Sequence, residues 1–84
     1  MTKEKLLPEL IGLIAEIKKV DASTITESTN LRNKIENGGA EISSLEMSQI
    51  ISRLEEKYDT YIKFIELMHV QTVGEAAEVM AKYC

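Results

Sequence analysis

The sequence of 84 residues contains no tryptophan, one proline, one cysteine and one histidine. Its single cysteine, Cys84, excludes an internal disulfide and fits a reducing compartment. The single histidine, His69, has no cysteine near it in sequence, so we predict neither a metal site nor a cysteine–histidine pair. No glycine-rich phosphate loop is present, because Gly38-Gly39 alone indicates a turn. The sequence offers no recognisable active site, and we expect no enzyme.

Long apolar runs and excess positive charge are also missing. No run approaches the ~18 apolar residues that a membrane span needs, and no signal peptide is evident, so we expect a cytoplasmic protein. Ten lysines and arginines against 14 aspartates and glutamates give a net charge of −4. A nucleic-acid binder needs a basic patch for the phosphates, and this balance argues against one. The length predicts one domain over residues 1–84 with a thin core, which we expect to be a monomer.

Apolar residues recur at helical spacing, and no stretch alternates as a strand would. Since proline fits the first turn of a helix, we predict a first helix from Pro8 to Lys19, with any turn before Pro8 frayed. A long loop follows, which we expect Val20, Ile25, Leu31 and Ile35 to anchor to the core.

Three further helices are predicted after this loop. One runs from Ser44 to Tyr58, a short one lies within 62–68, and the last begins with a capping box of Thr72 and Glu75. The predicted architecture is an all-α four-helix bundle with three main helices, one short helix and a long first loop.

The start of the second predicted helix is the most informative stretch. Ser43 and Glu46 have the spacing of a capping box, and Ile42 and Met47 that of a hydrophobic staple. Ser44 then takes the first helical position and faces water. Free amides and the positive end of the helix dipole favour an anion there. A serine in this position is suited to carry a phosphate ester.

Leu45, the next residue, is predicted to face solvent. It lies roughly 160° around the helix from Met47, on the side opposite to the apolar face. Single exposed leucines are normal on protein surfaces, and a partner contact is the other interpretation. The pattern alone favours neither.

Several motifs together resemble the acyl carrier protein family over about residues 42–83. They are Ser44-Leu45, the helix end Leu54-Glu55-Glu56-Lys57-Tyr58, the turn Asp59-Thr60, the short apolar helix and Thr72-Val73-Gly74-Glu75-Ala76. The resemblance implies that a phosphopantetheinyl transferase attaches 4′-phosphopantetheine from CoA to Ser44, and that this arm holds acyl groups as thioesters. It also implies partner enzymes for acyl transfer and condensation, with basic docking patches.

The resemblance implies two surfaces around Ser44. Residues expected to contact partner proteins are Ser43, Leu45, Glu46, Gln49, Ser52, Arg53, Glu56 and Ile62. Residues expected to line a cleft for the acyl chain are Met47, Ile50, Ile51, Leu54, Ile62, Ile65 and Met68. Plain core packing is the alternative for this second set, and both interpretations can hold.

The sequence also departs from the family pattern. The family usually has Asp-Ser-Leu where this chain has Ser43-Ser44-Leu45, and uncharged or basic residues dilute the acidic outer face of the second helix. These departures predict a specialised carrier, for a polyketide-like or unusual fatty acid pathway, rather than a carrier for bulk fatty acid biosynthesis. The alternative is a carrier-like fold that acts unmodified as a protein-interaction module.

Overall fold

The computed structural model describes residues 1–84 and contains α-helices but no strand. The helices are α1 (Lys3–Lys18), α2 (Ser44–Tyr58), α3 (Phe64–Leu67) and α4 (Val73–Ala81). Two single turns of 3₁₀ helix, Ala22–Thr24 and Ile35–Asn37, lie in the long connection between α1 and α2. The predicted all-α architecture of three main helices and one short helix is confirmed. None of the helices is long and apolar enough to cross a lipid bilayer.

The first helix begins five residues earlier than predicted. The hydroxyl of Thr2 caps it by accepting a hydrogen bond from the amide of Lys5 at 3.3 Å, so Pro8 lies inside α1. Proline in a helix removes one backbone hydrogen bond. The predicted start was wrong because apolar burial offsets this loss: Leu6, before the proline, is 0% exposed, and Leu10, after it, is 1% exposed.

The core is built where α2 and α4 pack with α1. On α2, Met47, Ile50, Ile51 and Leu54 are buried, which confirms the predicted inward face. On α4, the side chains of Val73, Ala76, Ala77 and Met80 are each 0% exposed. Alanines at two inward positions allow α4 to approach its neighbours closely.

Two of the four predicted loop anchors are buried. Ile25 is 7% exposed and Leu31 is 1% exposed, whereas Val20 is half-buried. Ile35 is 46% exposed, so its prediction as an anchor was wrong. Ile42, at the end of the loop, is buried instead and packs beneath the start of α2.

Backbone hydrogen bonds connect the long loop to the starts of both α2 and α4. The amide of Leu31 donates to the carbonyl of Gln71 at 2.8 Å, and the amide of Val73 donates to Thr29 at 3.0 Å. The amide of Ile42 donates back to the carbonyl of Leu31 at 2.7 Å. The loop therefore fixes where the N-terminus of α2 lies.

The predicted capping box of α4 is only half formed. The Thr72 hydroxyl accepts from the amide of Glu75 at 3.2 Å, as a cap should. The Glu75 carboxylate accepts from the amide of Gln71 at 3.4 Å instead of from that of Thr72. The antiparallel pairing of Thr72 with Asn30 holds the segment before this helix in place.

Candidate functional site

The N-terminus of α2 has the predicted capping box. The Ser43 hydroxyl accepts from the amide of Glu46 at 3.1 Å, and the Glu46 carboxylate accepts from the amide of Ser43 at 2.9 Å. Ser44 is the first helical residue and is exposed. Since the amides of Ser44 and Leu45 lie in the first turn, they have no acceptor within the helix. The Ser44 hydroxyl therefore lies where an anion is favoured.

Lys18 joins the last turn of α1 to this site. Its ammonium donates to the two carboxylate oxygens of Glu46 at 3.0 and 3.1 Å, and to the carbonyl of Glu41 at 2.8 Å. The amide hydrogen bond from Ser43 lowers the pKa of Glu46, and Lys18 lowers it further. No local sequence pattern indicates this contact, because its partners are 28 residues apart in the chain.

The Ser43→Ala substitution should destabilise the protein by about 1 kcal/mol, because it removes the oxygen that caps α2. Ser43→Asp should preserve the unfolding free energy, since a carboxylate caps equally well. Urea unfolding of the wild type and both variants measures this. If alanine and aspartate destabilise equally, the cap does not stabilise α2 as described.

The Glu46→Gln substitution should lower the free energy of unfolding most near neutral pH. The folded state lowers the pKa of Glu46 below its ordinary value of 4.5. Its charged form therefore adds stability above about pH 4.5, and this is lost as pH falls through the folded-state pKa. The difference in unfolding free energy between wild type and variant should be clear at about pH 7 and close towards about pH 3.

The control for this pH dependence is Glu56→Gln, which removes an exposed carboxylate of the same helix that has no ion pair. Such a surface change should alter the unfolding free energy by less than about 0.5 kcal/mol. A difference for Glu46→Gln that stays equal at both pH values would contradict the account of this carboxylate.

Leu45 faces solvent on the outer face of α2, as predicted, with 70% of its surface exposed. Gln49, Ser52, Arg53 and Glu56 are exposed on the same helix. Part of the charge on this helix is already paired. Arg53 contacts Glu16 at 3.3 Å, and Lys57 contacts Glu9 at 2.7 Å. The outer face near Ser44 thus offers a leucine and uncharged polar side chains more than free charge.

Ile62 does not belong to the surface predicted for partner proteins. Its side chain is 1% exposed and packs in the core. Its amide donates to the Glu55 carboxylate at 2.8 Å, which fixes the chain between α2 and α3. The prediction that Ile62 contacts partner proteins was therefore wrong, because a buried side chain cannot contact a docked protein. For the other seven residues the partner role remains a prediction.

A cavity of about 300 Å³ opens beside Ser44, between α2, α3 and the long loop. Its volume is at the lower end of the range of ligand cavities, ~300–1,000 Å³. The polar side chains on its wall belong to Arg32, Ser43 and Ser44. The remaining lining is apolar and consists of Leu31, Ile42, Met47, Phe64, Leu67 and Met68.

The residues predicted to line an acyl cleft divide into three groups. Met47 and Met68 line the cavity. The second group, at most 5% exposed, lies in the core away from the cavity and consists of Ile50, Ile51, Leu54 and Ile62. Ile65 is 65% exposed and faces solvent. Helical periodicity cannot orient α3, because a single turn of helix has no repeat from which a face could be identified.

Arg32 is a cavity residue that sequence analysis missed. Its guanidinium donates to the carbonyl of Leu67 at 2.9 Å, to that of Met68 at 3.1 Å and to that of Val70. It thus connects the long loop to the end of α3. No local signal in the sequence indicates this contact, since its partners lie 35 to 38 residues further along the chain.

The chain is similar to known carrier proteins over nearly its whole length. It is 28% identical over 83 residues to an acyl carrier protein of Lactobacillus acidophilus, covering 99% of this chain and 98% of that protein. It is 25% identical, with the same coverage, to an acyl carrier protein of Lactobacillus johnsonii. No protein-family model matches the chain, and no solved structure matches it significantly. The similarity therefore includes α1 and the long loop as well as residues 42–83.

Proposed function

We infer from these relatives that the chain belongs to the acyl carrier protein family, and we propose that it carries acyl groups as thioesters on Ser44-bound 4′-phosphopantetheine. The observation that supports this most directly is the position of Ser44. It is exposed, it begins a capped helix, and it lies at the mouth of a mostly apolar cavity. A carrier of this kind binds and presents its cargo and leaves catalysis to its partners.

The residues at the site fit the arm. The free amides of Ser44 and Leu45 and the dipole of α2 favour the phosphate group next to the serine oxygen. The arm supplies the thiol that forms the thioester. Met47, Phe64 and Leu67 supply an apolar wall that can shield the first part of an acyl chain from water.

We propose that partner enzymes dock on the outer face of α2. This face comprises Leu45, Gln49, Ser52, Arg53 and Glu56, with Ser43 and Glu46 at its edge. Glu46 forms an ion pair with Lys18, and Arg53 forms one with Glu16. The carboxylate of Glu56 is unpaired and is therefore available to a basic patch on a partner. Such a weakly charged face supports a carrier with its own set of transfer and condensing enzymes, in a specialised lipid or polyketide-type pathway.

The proposal is tested by incubating the protein with a broad-specificity phosphopantetheinyl transferase, CoA and Mg²⁺, and then measuring its intact mass. We expect the mass to rise by one phosphopantetheine group. Transferases of several types, including one from the source organism, should be tried because Ser43 replaces the usual aspartate. If none of them modifies the protein, the carrier function is wrong and an unmodified interaction module is favoured.

A further inference from the structure

The wall of the cavity beside Ser44 depends on α3, which cannot be stable alone. This helix has only four residues, Phe64–Leu67, and an isolated single turn is unfavourable in water. No amide within the helix donates to its last carbonyls, so these carbonyls need hydrogen-bond donors from elsewhere. The guanidinium of Arg32 supplies donors to the carbonyls of Leu67, Met68 and Val70.

Arg32 is itself held on a fixed part of the loop. Its amide donates to the side-chain oxygen of Asn30 at 2.9 Å, and its neighbour Leu31 is 1% exposed. The amide of Leu31 also donates to the carbonyl of Gln71. The backbone of Arg32 is therefore fixed, and its side chain links the loop to the end of α3.

We propose that Arg32 is a positioning residue that fixes α3 and thereby limits the length of acyl chain that the cavity beside Ser44 holds. Three of the apolar side chains in the cavity wall, those of Phe64, Leu67 and Met68, come from α3 and its end. Without Arg32, this wall loses the hydrogen bonds that hold the end of α3 against the long loop. The role of Arg32 in holding α3 follows from the observed contacts, whereas its role towards acyl chains rests on the proposed function.

Arginine is suited to this position in a way that lysine is not. A guanidinium presents five N–H donors in a planar fork, and three carbonyls at different directions can share it. An ammonium is a compact charge with a strong hydration shell, so it cannot reproduce the same fixed arrangement. The Arg32→Lys substitution therefore keeps the positive charge but removes the planar arrangement of N–H donors.

The first experiment is amide hydrogen exchange on the unmodified protein, which needs no arm or cargo. In Arg32→Gln, the amides of residues 64–70 should exchange at least about tenfold faster, while those of α4 keep their rates. Arg32→Lys should show a smaller increase in the same segment, and it replaces Arg32→Gln if that variant does not fold. Arg53→Gln, which removes an exposed arginine of α2, should leave the segment unchanged. Unchanged exchange in a folded Arg32 variant would overturn the proposal.

The second experiment tests the limit on chain length. The transferase loads wild type and Arg32→Gln with saturated acyl-phosphopantetheine groups of increasing length, and the thermal midpoint of each is measured. As the acyl chain becomes longer, the thermal midpoint should rise and then level off. In the wild type it should level off at a shorter acyl chain than in Arg32→Gln. The same plateau in both proteins would overturn the role in cargo selection. Failure of loading itself would show in the intact mass and would count against the proposed function, while the exchange result would still stand.

Discussion

Ser44→Ala should abolish the gain in mass that the transferase and CoA produce in the wild type. Alanine has no oxygen to form the phosphate ester, so the loss should be complete. The fold should be unaffected, because Ser44 is exposed at the first position of α2 and its side chain caps nothing. We expect its unfolding free energy to stay within about 0.5 kcal/mol of the wild type. Intact-mass measurement after identical incubations shows the difference.

The adjacent serine provides a matched control. Ser43→Asp keeps the cap of α2 and introduces the aspartate that acyl carrier proteins usually have at this position. This variant should gain the same mass as the wild type, and at least as quickly. A gain that survives in Ser44→Ala but disappears in Ser43→Ala would show that Ser43 is the modified residue.

Leu54→Ala should destabilise the protein by about 2–5 kcal/mol. Leu54 is 0% exposed on the inward face of α2, and truncation both removes apolar contacts and leaves a cavity. At ~0.05–0.15 kcal/mol per residue, a chain of this length has a total stability of only about 4–13 kcal/mol. The substitution therefore removes a large part of it, which urea unfolding monitored by circular dichroism measures.

The control is Leu45→Ala, the same chemical change on the same helix. Leu45 is 70% exposed, so its loss should alter the unfolding free energy by less than about 0.5 kcal/mol. If Leu45→Ala and Leu54→Ala lower the unfolding free energy equally, the two faces of α2 do not differ in burial as the structure shows. A Leu45→Ala protein that folds normally but is modified more slowly by the transferase would support the proposed role of Leu45 in docking.

The second helix was predictable because its signals are local. Its start follows from Ser43 and Glu46, three residues apart, and its inward face follows from the spacing of Met47 to Leu54. The start of α1 was missed because a local rule about Pro8 was overruled by tertiary burial. Leu6 is fully buried, and burial of a leucine contributes more than the one backbone hydrogen bond that proline removes.

The cavity beside Ser44 was predicted only in part because its walls come from distant segments. Met47 and Met68 were found through the resemblance, whereas Arg32 and Phe64 were not. The contact of Lys18 with Glu46 and that of Arg32 with the end of α3 join residues at least 28 positions apart. No periodicity or capping rule extends over such distances, so three-dimensional structure was needed to find them.

We propose that Ser44 carries the arm in the living cell, and the native protein tests this most directly. The protein is purified from its source organism, its intact mass is measured, and fragmentation in the mass spectrometer localises any added group. We predict one phosphopantetheine group, with or without an acyl chain, on Ser44. A native protein that is wholly unmodified, or that carries the group on another residue, would contradict the account.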